Sequence, residues 1–366
     1  MIAFLLAAGA AVIAALVGVV VMTKAISRLA LFQKIKNKWI RGIVAVLVIA
    51  AVIFVTSEVW TMENAVVVFV AFFAFYVLCA LLAKLAEKIR KKQLAHDLVF
   101  LVSVGLSLIY LGVGFYQCNH VFRKEYNLHT NKDVSLKIAL IADSHLSVTL
   151  DGEKFKKQMD RIEEEQPDIL VIAGDFVDDW SKKEDMLAAT EALGKMNLKY
   201  GVWYAYGNHD VGFYNSRDFS AADLERALEE NGVHILSDEM AVVSDKFVLA
   251  GRDDYSTSGS GAYRLKTAEL LEGADEGKYI VVLDHEPNDY ADEAASKADL
   301  VLFGHTHGGQ LAPFNYFGEW FGVNDKTYGY EKRNNTEFIV TSGISDWNLQ
   351  FKTGTRSEYV IINIGK

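Results

Sequence analysis

The sequence predicts a layered α/β domain preceded by four membrane-spanning α-helices, and three observations carry that prediction. Four apolar segments fill most of the first third of the 366-residue chain. From Val134 onward, short Val/Ile/Leu runs alternate with amphipathic helical patterns. Charge divides at the same boundary: residues 1–119 hold 11 Lys and Arg against 4 Asp and Glu, whereas the remainder holds 26 against 43. The expected organisation is a membrane anchor over 1–118, a polar linker over 119–133 and an α/β domain over 134–366.

The apolar segments run from Ile2 to Met22, Gly42 to Val59, Ala65 to Ala83 and Leu98 to Tyr116. Each is close to the roughly 20 residues that carry a helix across a bilayer. Apart from Glu58 at one edge, none contains Asp, Glu, Lys, Arg or His. Charges inside a membrane mark ion pathways and proton relays, so their absence favours an anchor over a transporter. The uncharged start Met1-Ile2-Ala3-Phe4 lacks the positive region of a cleaved signal peptide, and the first segment reads as a retained helix. Lys24, Arg28, Lys34, Lys36, Lys38 and Arg41 follow the first segment, and Lys84, Lys88, Arg90, Lys91 and Lys92 follow the third. Cationic loops stay cytoplasmic, so the turn holding Glu58, Trp60 and Glu63 should face outward. Four crossings then put the α/β domain on the outer side of the cell membrane. Cys79 and Cys118 fall at different depths, which disfavours a disulfide.

Strands are expected at Leu136–Ala142, Ile169–Ala173, Val202–Tyr206, Phe247–Ala250, Ile280–Leu283, Leu300–Phe303, Phe338–Thr341 and Tyr359–Ile362. Several are continuous Val/Ile/Leu runs, as in strands covered on both faces. Between them, Phe155, Met159 and Ile162 recur at i, i+4 and i+7, and Leu224 and Leu228 at i and i+4, the stripes of core-facing helices.

Five polar blocks each follow one of these runs: Asp143-Ser144-His145, Gly174-Asp175, Gly207-Asn208-His209-Asp210, His285, and Gly304-His305-Thr306-His307-Gly308-Gly309-Gln310. Strand ends are where α/β folds keep their sites. Five of the nine histidines fall in these blocks, while His96, His120, His129 and His234 read as structural. Carboxylate, imidazole and amide oxygen suit Mn, Fe, Zn, Co or Ni better than a thiolate-bound zinc. A single catalytic zinc needs only about three protein ligands. Seven candidates converge here, and the excess argues for two ions.

In that order the blocks closely resemble the calcineurin-like metallophosphoesterases: Asp-x-His, Gly-Asp, Gly-Asn-His-Asp, a lone His after a strand, then Gly-His-x-His. The resemblance spans residues 134–366, with no member of the pattern missing. The Gly-His-Thr-His-Gly-Gly-Gln form and the Gly251-Arg252-Asp253-Asp254 loop are similar to the branch with membrane-associated phosphoesterases and relatives of UDP-2,3-diacylglucosamine hydrolases. Joined to apolar helices, the chain resembles transmembrane proteins with a metallophosphoesterase domain. The resemblance implies a four-layer α-β-β-α sandwich and two divalent ions. One would be held by Asp143, His145, Asp175 and His307, the other by Asp175, Asn208, His285 and His305, with Asp175 bridging. It also implies that the nucleophile is water, present as hydroxide between the ions, and that His209 protonates or stabilises the leaving oxygen. Asp210 carries two readings, an orienter of His209 and a turn-capping carboxylate.

The chain therefore reads as a membrane-anchored phosphoesterase. The net −17 after residue 119 argues against long nucleic acid, whose phosphates draw Lys and Arg. Phe314-Asn315-Tyr316-Phe317-Gly318-Glu319-Trp320-Phe321 either packs as core beneath the site or meets acyl or isoprenoid chains at the bilayer surface. The second reading points to a lipid-linked or cell-envelope phosphate ester or diphosphate. Two alternatives stand beside it. A UDP-2,3-diacylglucosamine-type pyrophosphatase would need the domain in the cytoplasm with its nucleotide-linked substrate. A non-catalytic membrane regulator that binds phosphorylated ligands fits poorly with a complete ligand set.

Overall fold

The computed structural model describes residues 2–212, 216–254 and 264–366, with side chains from residue 15 onward. It divides into two compact units: one up to Phe115 together with Asn348–Gln350, the other Tyr116–Trp347 with Phe351–Lys366.

The first unit is helical. It contains α1 (Ile2–Ser27), the single turn α2 (Ala30–Gln33), α3 (Lys38–Val59), α4 (Met62–Arg90) and most of α5 (His96–Asn119). Asn37 opens α3 by accepting hydrogen bonds from the Trp39 and Ile40 amides, and Thr61 opens α4 by accepting from Asn64. Among the described residues, α3, α4 and α5 are each long and apolar enough to cross a membrane, and the described apolar stretch of α1, Ala15–Ser27, is shorter. Met22, Ala25, Ile26, Ala45, Ile49 and Tyr76 form a small cluster between helices. Most apolar side chains of α3 to α5 instead face outward, Leu47, Phe54, Leu81 and Ile109 among them, so these helices need an apolar surrounding.

The second unit holds two six-stranded sheets. The first has the order β1 (Phe122–His129), β12 (Glu358–Gly365), β2 (Leu136–Ile141), β3 (Ile169–Ala173), β4 (Val202–Ala205) and β5 (His234–Leu236). The second runs β10 (Gly329–Arg333), β11 (Thr336–Val340), β9 (Leu300–Phe303), β8 (Tyr279–Leu283), β7 (Phe247–Gly251) and β6 (Glu239–Val242). β2 to β5 are mutually parallel, as are β7, β8, β9 and β11, whereas β12, β6 and β10 pair antiparallel with β2, β7 and β11.

Strand alternation sets the layers. Ile138, Leu140, Val171, Val281, Leu283 and Leu302 meet in a core shared by both sheets. Their neighbours Ala139, Ile141, Leu170 and Ile172 point the other way, onto α6 (Gly152–Glu164), α7 (Lys183–Gly194) and α8 (Ala221–Glu230) through Phe155, Met159, Ile162, Met186, Leu224 and Leu228. Ile280, Val282, Val301 and Phe303 pack outward with Leu270, Leu271 and Tyr290 from two one-turn helices. Because the central strands are buried on both faces, their continuous apolar character follows, and so does the placement of their polar successors at one edge of each sheet.

One expectation fails. Residues 119–133, read as a linker, contain β1, which pairs in parallel with β12 over all eight of its residues. Its side chains mostly alternate between half-buried and exposed, so the segment looks polar although its backbone pairs with β12 along its whole length.

Candidate metal centre

The seven predicted ligands lie where β2, β3, β4, β8 and β9 end. Five of them, Asp143, His145, Asp175, His305 and His307, adopt positive φ between 34° and 69°. Each such residue costs on the order of 1–3 kcal/mol. The fully buried Val, Ile and Leu of the preceding strands, at about 1.5–3 kcal/mol each, outweigh that cost and hold the turns in place. Cross-links between turns define the rest. Asp143 N donates to Gly174 O (3.0 Å), His145 N to Asp175 O (3.1 Å) and Gly304 N to His285 O (3.1 Å). His305 N donates to Asp143 Oδ1 (2.9 Å), tying the two sheets together. Gly174 is required here: a Cβ on it would lie 2.5 Å from His285 Nδ1 and 2.7 Å from Gly207 Cα.

Asp175 is the hub. Its Oδ2 lies 3.1 Å from His285 Nε2 and 3.5 Å from His145 Nε2. In both rings the opposite nitrogen is already engaged, since His285 Nδ1 donates to Ala173 O (2.8 Å) and His145 Nδ1 pairs with Asp178 Oδ2 (2.9 Å). Both Nε2 atoms are thereby aimed at one carboxylate oxygen. Two groups of donors close around this point, Asp143, His145 and His307 on one side and Asp175, His285 and His305 on the other. Asn208 Oδ1 completes the second group, 3.2 Å from His285 Nε2 and 3.0 Å from His305 Nδ1. Asp143 Oδ2 and His145 Nε2 are buried with no hydrogen-bond partner among the described residues. Orphaned donor atoms in such a site are what a bound cation would satisfy.

The surrounding charges reinforce the pattern. Burial pushes the Asp143 carboxyl up to about 6, with Asp175 adding to the rise and His285 opposing it. At Asp175 burial again favours the neutral acid, yet His285, His145 and His209 together hold it well below the usual carboxylate range. Burial works against a charged His285, but Asp175 and Asp143 lift it well above an ordinary imidazole. His305 is brought down to about 4 by burial with help from His285, and burial and His145 take His307 well below its ordinary value. His305 and His307 are therefore neutral at pH 7, the form that binds metal.

Sequence reasoning missed two carboxylates that face these imidazoles and a third that braces one of the ligand turns. Asp178 holds His145 as described, and its Oδ2 also lies 3.6 Å from His209 Nδ1. A third donor group, His145, Asp178 and His209, shares His145, whose Nδ1 faces Asp178 while Nε2 faces Asp175. Asp178 thus orients an imidazole whose other nitrogen serves the hub. Asp346, 3.6 Å from His307 Nδ1, accepts a hydrogen bond from Gln310 Nε2 (2.8 Å) and pairs with the buried Lys352 (3.4 Å). Asp284 braces the His285 turn through Arg252 (2.8 Å) and Arg264. The only sequence signal for Asp178 is its place three residues after Asp175, just beyond that block, and Asp346 has none.

Two readings that the sequence left open are narrowed by this geometry. Asp210 does not orient His209: its Oδ2 accepts the Asp175 and Gly207 amides (2.8 Å each) and its Oδ1 the Val177 amide (3.1 Å). It is a fully buried brace between two ligand turns, and the carboxylates beside the His209 ring are Asp178 and Asp179 (3.7 Å). The 314–321 stretch is not core either, for Phe314, Tyr316, Phe317, Trp320 and Phe321 are all exposed.

Comparison with known proteins agrees with the site. The profile of the family described as calcineurin-like phosphoesterase matches residues 136–309, which take in the five blocks as far as Gly309. An uncharacterized metallophosphoesterase of Aquifex aeolicus is 35% identical over 195 residues, 51% of this chain and 70% of that protein. The chain belongs to the calcineurin-like metallophosphoesterase family. This metallophosphoesterase is also similar to a Campylobacter jejuni metallophosphoesterase (28% over 287 residues, 75% of this chain and 73% of the relative). A Danio rerio transmembrane protein with metallophosphoesterase domain is 30% identical over 240 residues, 61% of this chain and 52% of its own length. Among solved structures, a dimetal phosphatase from Danio rerio is matched at a TM-score of 0.37 and 10% identity, covering 56% of this chain and 86% of that one.

Proposed function

We propose that this metallophosphoesterase is anchored in a membrane, holds two divalent ions, and hydrolyses a phosphate ester or diphosphate carried on a lipid-linked or cell-envelope molecule. The observation that carries the proposal is Asp175 Oδ2 standing between two imidazole Nε2 atoms whose opposite nitrogens are both engaged. Asp143, His145, Asp175 and His307 would hold one ion, and Asp175, Asn208, His285 and His305 the other. Bound there, a pair of divalent ions supplies Lewis acidity toward phosphoryl oxygens and a hydroxide nucleophile near neutral pH.

The chain's own groups do the rest. His209 has its backbone amide fixed to Asp175 Oδ1 (2.8 Å) and its side chain partly open to solvent. With Nδ1 turned toward Asp178 and Asp179, Nε2 would carry the proton to the leaving oxygen. Asp210 keeps the Gly207 and Asp175 turns in register. On the positive-inside argument the domain lies outside the cytoplasm.

The test is a substrate panel of monoesters, diesters and diphosphates, run on chelated protein in detergent with Mn, Zn, Fe and Mg restored singly. Metal-dependent turnover of at least one class is expected, and tight phosphate binding with no turnover under any metal would favour a non-catalytic regulator. Orientation is read by labelling Glu184→Cys in intact cells, at a side chain that is 78% exposed. Labelling only after lysis would reverse the topology and favour a nucleotide-linked substrate.

A further inference from the structure

The exposed aromatic stretch belongs to an excursion with both ends rooted at the metal-ligand turns. It leaves at Gln310, three residues past His307, and returns at Thr327, whose carbonyl accepts the Thr306 hydroxyl (2.6 Å). On the way back Asp325 N donates to Pro287 O (2.8 Å), two residues past His285. Its rings pack on one another and not into a core: Phe317 lies 5.0 Å from Phe314, 5.6 Å from Trp320 and 5.6 Å from Phe321, centroid to centroid. Trp320 is 65% and Phe321 76% exposed. Between Leu311 and Val323 the sole charged residue is Glu319, and its carboxylate accepts the Thr327 amide (3.1 Å). The tip therefore offers aromatic surface with no outward charge.

We propose that this excursion docks into the boundary between headgroups and acyl chains of a bilayer. Two observations choose a bilayer over a protein partner. The same chain carries three helices long and apolar enough to cross a membrane. Only His120 and Val121 separate the end of α5 from the start of β1, a tether of at most about 11 Å. Trp and Tyr, whose rings carry a polar edge, settle at that depth with Phe beside them, and a charge at the tip would oppose it. Docking rests on the phosphoesterase reading only in its consequence, which is that phosphates borne on membrane-resident amphiphiles would meet the metal centre at the headgroup plane.

The experiment uses the full chain in vesicles of phosphatidylcholine and phosphatidylglycerol, with or without bromine on the acyl chains. A bimane label is placed at Phe321→Cys or, as control, at Val242→Cys on β6, the opposite edge of the sheet that the excursion leads into. Cys79 and Cys118 are buried, so the label goes to the introduced thiol. Bromolipid should quench the label at 321 at least about threefold more than at 242, and adding Phe317→Ser and Trp320→Ser should pull the two values together. No quenching at 321, or equal quenching at both positions, overturns the docking. Hydrolysis of bis(p-nitrophenyl) phosphate by the same unsubstituted vesicles is scored separately. Turnover without quenching removes the docking alone, and quenching without turnover leaves the docking and removes the phosphoesterase reading.

Discussion

Strand ends of the first sheet bring Asp143, Asp175 and Asn208 with one imidazole, His145, whereas those of the second bring three imidazoles, His285, His305 and His307. Oxygen donors come mostly from one sheet and nitrogen donors from the other. The carboxylates are held by backbone amides: His305 N on Asp143, His209 N on Asp175, and the Asp210 brace behind them. The imidazoles are held by oxygens, Ala173 O for His285 and Asp346 for His307. The first sheet thus sets the charge of the centre and the second fills its remaining directions. Loss of Asp175, on the first sheet, should reach both ion positions, and loss of any one imidazole of the second sheet only one.

The largest effect follows from the hub. Asp175→Asn should lower bound metal from about two ions per chain to one or fewer and take turnover below detection. His305→Ala should leave about one ion, and a greater metal loss from His305→Ala than from Asp175→Asn would break the contrast between sheets. Next comes His209→Ala, expected to keep both ions while losing about 10²–10⁴ in kcat, the split between a ligand and an acid. Asp178→Asn and Asp346→Asn each remove the partner of an imidazole that faces the centre. A loss of about 10–100-fold in metal affinity is expected, measured by competition with a chelating dye. Smallest for activity is Asp210→Asn, which disturbs a brace and no ligand. It should cost about 1–3 kcal/mol of stability and lower the Tm by several degrees. Metal content should hold; loss of metal at normal Tm would return Asp210 to the site itself.

The same contrast shows how far the sequence could be read. Eight interior strands announced themselves as apolar runs because both faces are covered, and their polar successors marked the strand-end turns. The remaining strands, β1, β5, β6 and β10, are the four edges of the two sheets. Half-exposed edge strands such as β1, with Arg123, Lys124 and Glu125, look like linker to a reader of hydropathy. All seven ligand candidates could be picked out because each lies within four residues of a strand end. Asp346 was not, since it reaches His307 across 39 positions of sequence through a turn with no motif of its own. Asp210 stood in the right block with its role hidden: only coordinates tell a carboxylate that faces an imidazole from one that faces three amides.

Metal content of the purified full chain, taken by elemental analysis beside the Asp175→Asn variant, bears most directly on the paired centre. About two divalent ions per unsubstituted chain, with one or none in the variant, is the expected result. A single ion in the unsubstituted chain, or an unchanged count in the variant, would contradict it.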